Sequence, residues 1–113
     1  MGTRSFIGYR NDDGSITGVY CHYDGYPSHQ APILSRYHGE DVRRLVQPGD
    51  MSTLDGPEYY TDRGESYEAN APRTFELFDE LLEQGTYEYH YIYDFTLGDW
   101  LVKDREGRPL GHT

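Results

Sequence analysis

Residues 20 to 27, Tyr-Cys-His-Tyr-Asp-Gly-Tyr-Pro, gather the chain's single cysteine, a histidine and an aspartate in front of a glycine-proline turn. A thiol beside an imidazole could work as a nucleophile and its base. His22 and Asp24 share one strand face and could hold a metal, with His29, His38 and His90 as further ligands. The spacing serves neither chemistry well. Adjacent strand residues point to opposite faces, which parts Cys21 from His22. The histidines match no tight zinc pattern such as paired CxxC or HExxH. A lone cysteine in a strand ordinarily packs as a small apolar side chain. The sequence therefore predicts no catalytic residue, no metal and no cofactor. A ligand pocket built from Tyr20, Cys21, His22, Asp24, Tyr26 and His29 stays open as a reading. The plainer reading is structural: Asp24 accepts backbone N–H groups, Gly25 takes positive φ, and Pro27 opens a helix.

The second chemically capable set is acidic. The net charge is −10, and residues 55–94 carry eleven acids against two bases. Residues 1–54 are nearly balanced, six against five, and residues 95–113 carry three of each. Such a field repels nucleic acid and membrane surfaces and attracts basic partners. Asp62, Glu65, Glu68, Asp79, Glu80 and Glu83 are the residues expected to meet a partner. The last three lie on the outer side of an amphipathic helix, where nothing raises a carboxyl pKa for acid-base catalysis.

The elements that must position these groups follow from periodicity. Ser5 to Arg10 and Ile16 to Tyr23 are β-prone runs joined by Asn-Asp-Asp-Gly, a hairpin turn sequence. Ile16, Gly18, Tyr20 and His22 then share one face, and Thr17, Val19, Cys21 and Tyr23 the other. Ile33, Leu34 and Tyr37 predict a helix over 28–38, ended by Gly39 and disturbed by Pro32. A short helix over 40–47 would bury Val42, Leu45 and Val46. Residues 50–72 read as an irregular acidic loop. Thr74 offers an N-cap for a helix that buries Phe75, Phe78, Leu81 and Leu82 and stops at Gly85.

Residues 86–95 alternate with period two, placing Tyr87, Tyr89, Tyr91, Tyr93 and Phe95 on one face. This row resembles a base-stacking surface, but Glu88 and Asp94 flank it, so it is expected to pack beneath the helices. Trp100 to Val102 returns as a second strand, and residues 104–113 read as a loose polar tail. The expectation is one α+β domain over 1–113. A mainly antiparallel sheet from two terminal hairpins would carry two to three helices on one face.

Composition supports a folded chain. The apolar fraction is 35%, but twelve tyrosines add rings that disordered chains lack. No apolar run approaches the roughly 20 residues that span a bilayer, and MGTRSFIGYR lacks a signal-peptide core. One cysteine fits a reducing cytoplasm.

Gly2 to Ser5, Gly8 and Tyr20 to Pro27 together resemble the opening of small proteins that recur in bacteriophage genomes and prophages. Those proteins begin Met-Gly-Thr-Arg-Ser and reach a Tyr-Cys-His-(Trp/Tyr)-Asp-Gly-Tyr-Pro stretch. The strand pair with Trp100 is also similar. The resemblance implies a phage setting in the host cytoplasm and carries over no catalytic residue. In that setting the expected partner is a host protein or nucleoprotein complex with a basic surface, which the chain would bind and block as an anti-CRISPR-like inhibitor or nucleic-acid mimic. No direct nucleic-acid or membrane binding is expected. A small-ligand binder or enzyme built around residues 20–27, or a virion assembly protein, are the alternatives.

Overall fold

Strands β1 (Ser5–Arg10) and β2 (Ile16–Cys21) form the expected hairpin, in register from Ser5 opposite Cys21 to Arg10 opposite Ile16. Its turn closes through Asn11 N–H to the Ser15 carbonyl and Gly14 N–H to the Asn11 carbonyl, with Gly14 at φ 90°. The Asp13 carboxylate accepts both the N–H and the hydroxyl of Ser15. Alternation sends Ile7, Val19 and Cys21 to one face and Phe6, Ile16 and Tyr20 to the other, as the period-two pattern requires.

The computed structural model describes residues 2–112. Within them the chain forms eight strands, four α-helices and a 3₁₀ turn at Tyr60–Arg63. After the hairpin come α1 (Pro27–Leu34), α2 (Glu40–Val46), β3 (Met51–Thr53), β4 (Glu58–Tyr59), α3 (Tyr67–Asn70), β5 (Arg73–Phe75) and α4 (Phe78–Glu83). Three strands end it: β6 (Tyr89–Asp94), β7 (Asp99–Asp104) and β8 (Pro109–His112). The sheet runs β4-β3-β2-β1-β6-β7-β8, with β5 sharing the outer edge of β2. Only β1–β6 and β2–β3 are parallel. The domain is thus α+β with a mainly antiparallel sheet.

Helices α1 and α2 cover one face, where Leu34, Val42, Leu45 and Val46 meet Ile7, Val19, Tyr91, Tyr93 and Trp100. Helix α4 covers the other, setting Leu81 among Phe6, Ile16, Tyr87 and Ile92. A sheet buried on both sides explains why β6 is buried from His90 to Asp94, with Tyr91, Ile92 and Tyr93 in succession.

The core is built from aromatic rings whose polar ends reach main chain. The Tyr91 hydroxyl donates to the Gly25 carbonyl at 2.5 Å, Tyr59 to Leu45 at 2.6 Å, and Trp100 Nε1 to Tyr37 at 3.1 Å. The Tyr93 hydroxyl accepts the Gly39 N–H. These bonds satisfy the hydroxyls inside the core and pin the loops around α1 and α2. Burial pushes the Tyr59 phenol up to about 12, so it stays a donor at neutral pH.

Several expectations need correction. The first helix ends at Leu34 instead of running to residue 38. Past it, Arg36 and Tyr37 donate to carbonyls three residues back, while the Ser35 hydroxyl takes the Pro32 carbonyl that a continuing helix would use. Gly39 therefore precedes α2 at φ 59° instead of ending α1. The supposed loop 50–72 holds β3, β4, the 3₁₀ turn and α3, elements too short to show a period.

Thr74 is no helix cap. It lies in β5, its hydroxyl 2.8 Å from that of Thr17 on β2, because pairing with β2 overrides local preference. Helix α4 instead begins after Leu77, whose N–H is accepted by the Glu80 carboxylate at 3.0 Å. Tyr87 leaves the tyrosine face and joins the α4 side, since regular strand starts only at Tyr89. The tail is also ordered at residues 109–112. Asp104 caps the preceding turn by accepting N–H groups from Glu106 and Arg108, which returns the chain as β8 against β7. Thr113 lies outside the described residues.

Candidate functional site

Cys21 is fully buried beneath α1. Its Sγ takes an N–H from Gln30 Nε2 at 3.1 Å, and Gln30 Oε1 accepts the Ser5 hydroxyl at 2.8 Å. Burial pushes the thiol up to about 11, which keeps it protonated and poorly nucleophilic at neutral pH. The cysteine is a packing residue tied to a buried glutamine. Gln30 was invisible to sequence reasoning because a lone polar residue on a short helix carries no period.

The turn that follows is built differently from its sequence reading. Asp24, not Gly25, takes positive φ, at 58°. Gly25 is required by close approach: a Cβ there would lie 2.7 Å from the Thr3 carbonyl oxygen, which also accepts the Gly25 N–H. Pro27 does open α1. Tyr26 is exposed just before that helix and stands 5.7 Å from the His29 ring, while Asp24 is exposed beyond the strand end. The six residues 20, 21, 22, 24, 26 and 29 therefore spread over two faces and a helix start. Of them, His22 lines the cleft described next.

That cleft follows from register. Ser5 pairs with Cys21 on β2 and with Tyr89 on β6, and Tyr89 pairs with Asp104 on β7. One step past this row, the four adjacent strand ends present His22, Arg4, Glu88 and Arg105. Together with Gly2 and Tyr23 they line an open cleft of about 470 Å³. Arg4 is fixed through its main chain: its N–H donates to Glu88 Oε2 at 2.8 Å, and its carbonyl accepts the Glu88 N–H at 2.9 Å. Arg105 sits in the turn that Asp104 caps. His22 Nδ1 lies 2.5 Å from the Tyr20 hydroxyl, and its ring packs edge-on against Tyr23 at 4.4 Å. Desolvation raises the Tyr20 phenol, so Tyr20 stays protonated in this contact.

Sequence reasoning missed Arg4, Glu88 and Arg105. Arg4 and Glu88 are 84 residues apart and are joined by the parallel β1–β6 register, while β6–β7 pairing brings in Arg105.

The remaining histidines are separate. His38 Nε2 contacts the Ser35 carbonyl, and buried His90 donates from Nδ1 to the Asp104 carbonyl at 3.0 Å, edge-on to Phe78 and Tyr87. No group of three or more His, Cys, Asp or Glu side chains converges among the described residues. Burial holds His90 below its ordinary pKa of 6.5, with the Asp104 carbonyl opposing and Lys103 adding to the shift. The unfolded chain therefore binds the extra proton first, and this contribution to stability is full above pH 6.5 and lost as pH falls below it. Thermal melts between pH 8 and 5.5 should show wild type losing stability more steeply than His90→Asn. Parallel curves would show that His90 does not titrate this way.

The six acidic candidates are all exposed. Asp62 lies in the 3₁₀ turn, Glu65 after it and Glu68 in α3, which packs on that turn. Asp79, Glu80 and Glu83 lie on α4, a separate element on the far side of β5 in the chain. Glu80 is occupied by the Leu77 N–H. The other five make no ion pair among the described residues. Both bases of the segment are engaged, Arg63 with Glu58 at 3.3 Å and Arg73 in a two-pronged bond to the buried Asp50 at 2.8 and 2.9 Å. Two large side chains next to these acids in sequence are exposed: Tyr67 is 50% exposed and Leu77 63%.

No family model, curated protein or solved structure matches the chain. No helix among the described residues is long and apolar enough to cross a membrane.

Proposed function

We propose that the chain is a non-enzymatic protein that binds a basic surface of a host protein or nucleoprotein complex and blocks it. In the phage setting implied by the opening motif, that makes it an anti-defence inhibitor of the anti-CRISPR kind. The observation that carries the reading is the set of exposed acids at 62, 65, 68, 79 and 83, free of ion pairs among the described residues, with exposed Tyr67 and Leu77 beside them in sequence. Unpaired charge steers a basic partner and sets register, while partly exposed apolar side chains supply the contact that charge alone does not.

The test reverses Asp62, Glu65, Glu68, Asp79 and Glu83 to lysine and leaves Glu80, which caps α4. Immobilised wild type should capture basic-surfaced proteins from host lysate, and release them as salt rises to about 0.5 M, where exposed charges are screened. The reversed chain should capture none of them while melting normally. Recovery of the same proteins by the reversed chain would sink the proposal.

A further inference from the structure

We infer that the strand-end cleft between His22 and Arg105 is a binding site for a small phosphate monoester carrying a planar ring. This site is independent of the acidic surface and uses none of its residues.

Positive charge is unevenly neutralised over the molecule. In a chain of net charge −10, Arg10, Arg43, Arg44, Arg63 and Arg73 each have a carboxylate partner. Arg4 and Arg105 have none among the described residues, yet the sheet register brings them to one cleft. Asp104, one of the two carboxylates flanking Arg105, accepts the N–H groups of its own turn. The carboxylate in the cleft, Glu88, receives the main-chain N–H of Arg4. Two arginines and a single glutamate therefore line the cleft.

Guanidinium forks match the oxygens of a phosphate, and each contact is charge-assisted. His22 lines the cleft beside them, its Nδ1 held to the Tyr20 hydroxyl at 2.5 Å. The ring preference comes from Tyr23, which is 48% exposed at the cleft and braced edge-on by His22. Its free surface can stack on a planar group. A cleft of about 470 Å³ falls within the roughly 300–1,000 Å³ of small-ligand sites. Gly2 completes the wall because a Cβ there would meet the His22 carbonyl oxygen at 2.5 Å.

Calorimetric titration of the full chain with inorganic phosphate, adenosine 5′-monophosphate and adenosine tests the site. The monophosphate should bind more tightly than phosphate, and adenosine should bind least. Arg4→Ala with Arg105→Ala should weaken the monophosphate and phosphate about tenfold or more, the loss of two charge-assisted contacts. Neither side chain has an ion pair to lose, so melting should be unchanged. Arg36→Ala with Arg108→Ala removes equal charge elsewhere and should leave affinity intact. Tyr23→Ala should weaken the monophosphate and spare phosphate. The inference is overturned if the Arg4/Arg105 pair can be removed without loss, if adenosine binds as well as its monophosphate, or if no probe binds. A Tyr23→Ala chain that holds the monophosphate like wild type overturns the part given to the ring.

Discussion

Replacing Trp100 with alanine is expected to cost about 3–5 kcal/mol, the range for emptying a large aromatic site in a core. A domain of this size holds about 5–15 kcal/mol in all, so the variant should sit near the edge of folding. Trp100 is fully buried, faces Tyr93 across the β6–β7 pair, and stacks edge-on to it at 5.4 Å. Its Nε1 donates to the Tyr37 carbonyl in the segment between α1 and α2. The loss therefore combines a cavity, a ring pair and a partly buried carbonyl left without its donor. Urea titration followed by circular dichroism measures it without needing the indole signal. Trp100→Phe keeps most of the ring and loses the N–H, and should cost about 1–3 kcal/mol. A Trp100→Ala chain losing under about 1 kcal/mol would contradict a core position for the indole.

The contrast between what the sequence revealed and what it hid has a physical basis. The hairpin β1–β2 was legible because turn chemistry and alternation act over a few residues. Helix α2 was legible for the same reason, its buried Val42, Leu45 and Val46 lying at helical spacing. β5 was not, because Thr74 is an acceptable N-cap by itself and becomes a strand residue only when β2 offers an edge 57 residues away. Tyr87 shows the same limit: alternation continues in sequence through a residue that the backbone has not yet placed in the strand.

The candidate sites divide along the same line. A concentration of charge is a property of composition, so the acids of 62–83 could be seen directly, and their exposure is what an unpaired polar face implies. The strand-end cleft is a property of register. His22 belonged to a visible motif, but its neighbours Arg4, Glu88 and Arg105 come from three strand ends that only the mixed sheet aligns. Most of the motif's residues serve the fold. Cys21 packs, Gly25 permits close approach, Pro27 starts a helix, and His22 alone among the six reaches the cleft.

Gly18→Ala is expected to destabilise the domain by about 1–3 kcal/mol or more, the cost of forcing one methyl into a packed core. Gly8 and Gly18 pair directly across β1 and β2, leaving a gap in the sheet face. The Phe6 ring occupies it: a Cβ on Gly18 would stand 2.3 Å from Phe6 Cζ, and one on Gly8 would stand 2.8 Å from Phe6 Cε2. Phe6 in turn packs edge-on against Phe75 of β5 and Tyr87, within the cluster that receives Leu81 of α4. The two glycines thus make the room that Phe6 fills beneath Phe75 and Leu81. Two obstacles meet a methyl at Gly18, the movable Phe6 ring and the Ile7 carbonyl oxygen at 2.6 Å, which belongs to the neighbouring strand and cannot yield. Coupling Gly18→Ala with Phe6→Leu separates them. The double variant should be more stable than the sum of the two single losses allows, by about 0.5–3 kcal/mol, because the smaller side chain relieves one clash. Some penalty should persist from the carbonyl. Strict additivity of the two losses would show that the Phe6 ring does not fill the glycine gap.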